Sequence, residues 1–346
     1  FATAILAHAG KDAGRAAKVA ARLVGANLAG HDSHGVGMIP AYVDGMLAGQ
    51  LDAAADIELV QDKGPFLLVD GHRGFGHIVA EQAMTLAIDR AQTHHFAMLS
   101  LRNSFHLGRL GDWGIMAAEA GFICILYANV QSARPLVAPF GGSDARFVTN
   151  PYCTAIPATE KHPMFVLDMA TSTIAMGKAR VAQLSGKPAP EGALIDAQGN
   201  ATRDPSVVFD GAGGALTAFG QHKGFGLALL GDILGGSFSG GGAYAPEREV
   251  PDRIVNNMMA ILIDPNVFGL AQSFGVDVDS YTDWVKASPA APGMAGVQFP
   301  GDPERRSTAE RSAKGIPLDS GTLAQLTAAA RKAGVPASEH LFSTSD

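Results

Sequence analysis

Apolar and polar positions recur along this chain with two periods, and the switches between them mark an alternation of helices and strands. From Ala2 to Leu28 the residues Ile5, Ala9, Ala16, Val19, Ala20, Leu23 and Val24 fall on one helical stripe. The stretch is Ala-rich and free of proline, so it predicts a helix, weakened locally by Gly10 and Gly14 and stopped at Gly30. A polar turn, His31-Asp32-Ser33-His34-Gly35, follows, and a second helix is predicted from Pro40 to Ala48, closed by Gly49. Further on, β-type and helical runs alternate. The expected strands are Phe66 to Val69, Ala97 to Leu101, Phe122 to Tyr127, Cys153 to Ile156, Phe165 to Leu167 and Met258 to Ile263. The expected helices are Ile78 to Thr93, Asp112 to Glu119, runs after Thr171 and after Lys223, and a tail from Leu318 to Gly334 with Leu323, Leu326 and Ala330 on one face. Ser185 to Gly213 reads as a long excursion with turns, and Gly235 to Gly242 and Ala287 to Pro303 read as loops. No internal repeat is visible. The alternation is that of an α/β protein.

Composition narrows the class. The chain has 346 residues, 47% hydrophobic and 17% charged, which is enough to bury a sizeable core in one large domain or two moderate ones. The formal charge is -7 and no Lys/Arg-rich run occurs, so neither nucleic acid nor an anionic membrane is an expected partner. A small anionic metabolite remains compatible with a local cationic pocket. The two cysteines, Cys124 and Cys153, offer neither a disulfide framework nor zinc spacing. No apolar run approaches the roughly 20 residues of a membrane span, and no charged n-region precedes an apolar h-region. A reducing, cytoplasmic setting is expected.

Chemistry concentrates in a few polar clusters. Gly74-Phe75-Gly76 follows a predicted strand and precedes a helix, but Val79 stands where a dinucleotide fingerprint has its third glycine. A simple turn is the better reading, and a phosphate-cradling GxxxxGK[ST] loop is absent too. His31-Asp32-Ser33-His34 gathers groups able to exchange protons near neutral pH, although a helix cap with incidental histidines also explains it. Adjacent residues cannot form a Ser-His-Asp relay, and His31 with His34 lacks a third metal ligand; no metal is expected. Asn103-Ser104-Phe105-His106-Leu107-Gly108-Arg109 sits at the end of a predicted strand, where open α/β sheets present catalytic groups. There His106 is a candidate acid/base, and Arg109 a candidate fork for a carboxylate or phosphate, against the alternative of a satisfied loop histidine and a solvated arginine. Thr149-Asn150-Pro151 reads as a turn, and Asp168-Met169-Ala170-Thr171 as a strand end whose following helix start has N–H groups for an anion or ribose. Lys178, Arg180 and His222-Lys223 are weaker signals, equally explained by caps and surface cations.

Taken in order, the segments HDSHGVGMIPAYVDGMLAGQL, NSFHLGRLG, APFGGSDARFVTNP, LDMATSTIAMGKARV, GALIDAQG, HKGFGLAL, NNMMAILIDP and FPGDPERR resemble the type-2 malate/L-lactate dehydrogenase family of NAD(P)-dependent oxidoreductases. The match runs colinearly from His31 to Arg306, and within the family it is most similar to the hydroxycarboxylate dehydrogenase B subgroup. The resemblance implies a non-Rossmann α/β fold, a mixed sheet flanked by helices, with a helical domain (1–60 with 285–346) built from both chain ends around an NAD(P)-binding α/β domain (61–284). It implies a homodimer, and hydride transfer between NAD or NADP, with NAD favoured, and a small 2-oxo/2-hydroxy acid bound in the cleft between the domains. His106 takes the role of proton donor/acceptor, with Ser33 and His34 lining the reacting centre and Tyr42 an aromatic pocket position. Cofactor contacts fall on His34, Gly108, Arg109, Leu110, Asn150, Asp168, Met169, Ala170, Thr171, His222, Lys223, Gly301, Asp302, Pro303 and Glu304.

Three departures bear on the substrate. Met38 stands where several members carry an arginine, so Arg109 or Arg180 becomes the candidate for the substrate carboxylate. The usual GTNP is VTNP, with Val148, and Phe105 inside the NSxH motif suggests a more apolar pocket lining. Two other readings are an NADPH-dependent reductase of an imino acid such as piperideine-2-carboxylate and, from another class, a nucleotide-binding sensor without turnover.

Overall fold

The structure is a computed structural model and describes residues 1–131, 134–209, 211–245, 247 and 253–336. Residues 337–346 of the expected helical domain lie outside the described residues. The helix expected over Ala2–Leu28 is in fact two, α1 (Ala2–Gly10) and α2 (Ala13–Leu28). Lys11 turns left-handed at φ 58°, and Asp12 restarts the helix by accepting the Arg15 N–H. An Asp side chain competes with helical backbone bonding and favours the cap, which is why the break falls there rather than at either glycine. After the histidine turn comes α3 (Ile39–Leu47), with Pro40 in its first turn.

The central sheet is then laid down. β1 (Glu58–Lys63) and β2 (Phe66–Asp70) form a hairpin, α4 (Gly76–His94) crosses to β3 (Phe96–Ser104), and α5 (Gly111–Glu119) leads to β4 (Ile123–Gln131). β5 (Tyr152–Ile156), β6 (Phe165–Met169) and α6 (Met176–Leu184) follow. The expected excursion holds a small sheet of β7 (Leu194–Ile195), β8 (Ala201–Thr202) and β9 (Ala215–Leu216). The chain ends through α7 (His222–Leu230), β10 (Val255–Ile263), α8 (Ala271–Lys286), α9 (Asp302–Lys314) and α10 (Ser320–Lys332).

The large sheet is mixed, in the order β1-β2-β3-β10-β4-β5-β6, with β2 and β3 parallel and the other neighbours antiparallel. β10 inserts between β3 and β4, and its apolar run Met258 to Ile263 reflects burial at the centre of the sheet. One core packs the sheet against α4 and α5 through Leu67, Val69, Met84, Leu99, Leu126 and Trp113. A second core joins α1, α2, α3 and α10 and takes in Phe75, Ile78 and Phe105 from the α/β part. The site described below sits where those two cores meet.

Several elements were not foreseen, three of them for a shared reason. β1 is a fully exposed edge, α8 turns much of its apolar surface outward, and α9 buries no residue, so none carries a core-facing stripe. The glycine-rich segment read as a loop begins inside a π-helix, Gly231–Ser237. A Cβ at Gly235 would stand 2.9 Å from the Asn129 nitrogen and the Tyr127 oxygen, so glycine there lets the helix press onto β4. Among the described residues, no helix is long and apolar enough to cross a membrane.

Candidate active site

Close backbone packing carries His106 into place at the end of β3. The Asn103 N–H donates to Asn257 and the Leu107 N–H to Asn256, while the Trp113 indole donates to the Leu107 carbonyl. The first turn of α4 presses against this loop. A Cβ on Gly76 would lie 2.1 Å from the His106 carbonyl oxygen, so the glycine of the GFG turn serves close approach to the loop. On the other side, α2 ends at Gly30 (φ 87°) and the chain enters a 3₁₀ turn, Asp32–His34. Asn27 pins that turn, donating to Asp32 and accepting from the Val36 N–H, and its side chain fills the space a Cβ on Gly35 would need.

These supports bring together His34, Tyr42 and His106. The Nδ1 of His34 lies 3.0 Å from Nε2 of His106, with the ring planes 7° apart, and the Tyr42 hydroxyl lies 2.7 Å from Nδ1 of His106. Burial raises the Tyr42 phenol well above its ordinary range, so it keeps its proton, and its oxygen accepts from Nδ1–H of His106. With the His106 proton on Nδ1, its Nε2 accepts from Nδ1–H of His34. A third imidazole, His77 on α4, stands edge-on to His106 with ring centres 6.2 Å apart. Sequence reasoning missed His77, although its place directly after the GFG turn was a usable signal.

All three rings are held neutral. Burial, reinforced by neighbouring positive charge, pushes His34 down to about 4 and His77 to about 3, and drives His106 well below the usual imidazole range. Among the described residues no carboxylate hydrogen-bonds to any of these rings. The Nδ1 of His77 has no partner at all. Such a cluster can pass protons between His106 and His34 and would take up charge once an anion arrived.

The other expected residues divide. Arg109 is buried and grips Asp112 with Nε and Nη2 at 2.8 and 2.5 Å, so as a carboxylate clamp it is already occupied. Arg180 is exposed on α6, one turn beyond Gly177, whose would-be Cβ approaches the Ser33 Cβ to 3.4 Å. The helix expected after Thr171 starts at Met176, and the Thr171 N–H is spent on the Thr149 carbonyl, correcting the picture of a free helix start at Thr171. Asn150 and Thr171, expected among cofactor contacts, are each 0% exposed with their side chains bonded inside the chain. The positive φ near the VTNP turn falls on Asn150, at 23°. Asp168 accepts the Gly111 N–H at the start of α5, and burial raises its carboxyl above the ordinary value. Gly108 (φ 74°) packs on His77, with Leu110 buried beside it, and Met169 and Ala170 follow Asp168 half-buried. Phe105 does not line a pocket; it packs on Tyr42 and Gly45 in the helical core.

His222 and Lys223 open α7, both exposed, and that helix start has no side-chain cap. Gly301 (φ 97°) precedes α9, whose first turn holds Asp302, Pro303 and Glu304. Asp302 pairs with Arg305, and Glu304 reaches back 3.1 Å to His31. The same helix sends Arg311 to both carboxylate oxygens of Asp32. This contact of the segment from Gly301 to Glu304 with the histidine turn, and the roles of Asn27, Asp112 and Arg311, were not anticipated.

Comparison with known proteins identifies a family for the chain. A model of the malate/L-lactate dehydrogenase family matches residues 1–327. The hydroxycarboxylate dehydrogenase B of Escherichia coli (strain K12) is 42% identical over 338 residues, 97% of this chain and 92% of that protein. The L-lactate dehydrogenase of Cupriavidus necator is 40% identical over 299 residues, covering 85% of this chain and 84% of its own. A solved structure of a candidate malate/lactate dehydrogenase from Escherichia coli superposes with a TM-score of 0.93 at 40% identity, over 98% of this chain and 94% of the other.

Proposed function

The chain belongs to the malate/L-lactate dehydrogenase family, and on that footing we propose that it is an oxidoreductase acting on the CH–OH group of a small 2-hydroxy acid, or in reverse on the 2-oxo acid. The observation that carries the reading is His106, a buried imidazole held by Tyr42 and His34 at the end of β3. The residues present fit a nicotinamide dinucleotide. The uncapped start of α7 with the Lys223 ammonium suits a pyrophosphate, and the backbone at Gly108–Leu110, Asp168–Ala170 and Gly301–Glu304 would line the remainder. When bound, NAD or NADP supplies the hydride chemistry.

The chain's own groups do the rest. Protonated as the anionic substrate enters, His106 gives a proton to the oxygen on C2 during reduction and takes it back during oxidation. Ser33 and His34 border that oxygen, and Tyr42 fixes the His106 ring. Arg180, rather than the engaged Arg109, is the cation we assign to the substrate carboxylate. A panel of 2-oxo acids, with and without an amine and with NADH and NADPH side by side, tests the reading. Oxidation of either cofactor without amine supports it, turnover only with amine would identify an imino-acid reductase, and binding without turnover would identify a sensor.

A further inference from the structure

We propose that His34 is the proton shuttle that recharges His106 between turnovers. The inference rests on the reading of His106 as the acid/base group and adds the route by which its proton is replaced. Each reduction consumes one proton from His106, and the buried ring must regain it from solvent before the next. Nδ1 of His106 is closed off by Tyr42, which is 0% exposed, and the edge facing α4 by His77, which is 2% exposed. Its remaining nitrogen, Nε2, meets Nδ1 of His34 at 3.0 Å with the two rings nearly coplanar, an alignment suited to transfer along the hydrogen bond. His34 is the member of the cluster that is partly exposed, on a turn whose neighbours Asp32 and Ser33 are both exposed.

The proton balance closes without another reactant. Water or buffer protonates Nε2 of His34, the proton on its Nδ1 moves to Nε2 of His106, which becomes the imidazolium that gives that proton to the C2 oxygen, and both rings return to neutral. Turning of the His34 ring, or proton exchange with solvent, then restores the starting tautomer. The hydrogen bond between the rings and the contact of His106 with substrate alternate, since both use Nε2. The charged and titratable groups facing His34 are His31, Arg109, His77 and His106, with Asp32 beside it in the turn. They set the proton affinity of the shuttle, and among the described residues none of them hydrogen-bonds to His106 as His34 does.

The variant His34→Phe fills the same space without a nitrogen, and His34→Ala opens the position to added imidazole. In the cofactor-free protein, the rate at which Nε2 of His106 gains and loses a proton, followed by nitrogen-15 histidine NMR as pH is lowered, is expected to slow at least tenfold in His34→Phe. With substrate, steady-state turnover of His34→Ala is expected to fall about 10²-fold, at the low end of acid/base effects, and by a larger factor than its first turnover. Millimolar imidazole is expected to restore the steady state in a saturable way. Unchanged or faster gain and loss of the Nε2 proton in His34→Phe, or a first turnover lost as fully as the steady state with no help from imidazole, overturns the shuttle. Native turnover in His106→Gln would instead overturn the underlying reading, so the two failures are distinguishable.

Discussion

Four consecutive residues, His31 to His34, belong to two opposite electrostatic regimes. His31 and Asp32 turn outward to α9, where His31 hydrogen-bonds to the Glu304 carboxylate and Asp32 pairs with Arg311. Burial alone would raise the Asp32 carboxyl, but hydrogen bonds from Arg311 and Asn27 outweigh it and leave the group below its ordinary value. The Glu304 carboxyl is likewise lowered, first by its bond from His31, against the opposing effect of burial. His34 turns inward, where burial acts with no carboxylate to answer it and the imidazoles stay neutral. Charge is therefore admitted on the face of the turn that provides a counter-charge and excluded from the face that lacks one. A substrate carboxylate would be the first anion to enter the inner side, so proton uptake by the cluster is tied to ligand binding.

Removing the centre of the inner regime is the strongest test. His106→Ala is expected to lower kcat by roughly 10²- to 10⁴-fold, the range for a lost acid/base group, while the thermal unfolding transition stays cooperative. Stopped-flow measurement of cofactor absorbance checks it. Near-native turnover would mean that the buried cluster is only structural.

The next test addresses the cost of keeping imidazoles uncharged. A ring that is neutral when folded and protonated when unfolded lets the unfolded state bind more protons below about pH 6.5. The stability it contributes is complete above that pH and is lost as pH falls towards the folded value, about 4 for His34 and about 3 for His77. His77→Phe removes one such ring. Its stability is expected to fall less steeply from pH 6 to pH 4, by up to about 1.4 kcal/mol per pH unit. Urea unfolding at a series of pH values measures this. Identical slopes for both proteins would show that His77 is not kept neutral by burial.

How much of this was legible in the sequence follows the same division. Residues whose role shows as pattern were found: the apolar runs of β3, β4 and β10, the stripe on α10, and the polar clusters holding His34 and His106. Contacts across long sequence separations were not. α9 reads DPERRSTAERSAK, with no apolar stripe, because ion pairs and hydrogen bonds to α2 and the histidine turn hold it in place of burial. Arg109 shows the complementary failure. A cation after a motif histidine suggests a free fork, and only the fold reveals that Asp112, one helical turn on, has occupied it.

A smaller effect isolates Tyr42. Tyr42→Phe keeps the ring that packs on Phe75 and Phe105 and deletes the hydroxyl that bonds to His106. A hydrogen bond of this kind is worth about 1 kcal/mol net, so kcat is expected to fall about five- to tenfold with KM little changed. A larger change in KM than in kcat would place the hydroxyl on the substrate instead.

The mildest test lies on the outer face and decides between two roles for Glu304. The sequence resemblance makes it a cofactor contact, whereas its observed partner is His31, 3.1 Å away at the base of the turn that carries His34. A partly exposed pair of this kind contributes about 0 to 1 kcal/mol. If Glu304 acts through the turn, Glu304→Gln is expected to lower kcat no more than about fivefold and to leave the dissociation constant of NADH and NADPH unchanged by fluorescence titration. In His31→Asn the further change Glu304→Gln should then cost almost nothing, because the partner is already gone. A cofactor affinity that weakens by tenfold or more in both backgrounds would make the carboxylate a direct nucleotide contact, and the link between α9 and the histidine turn would reduce to packing.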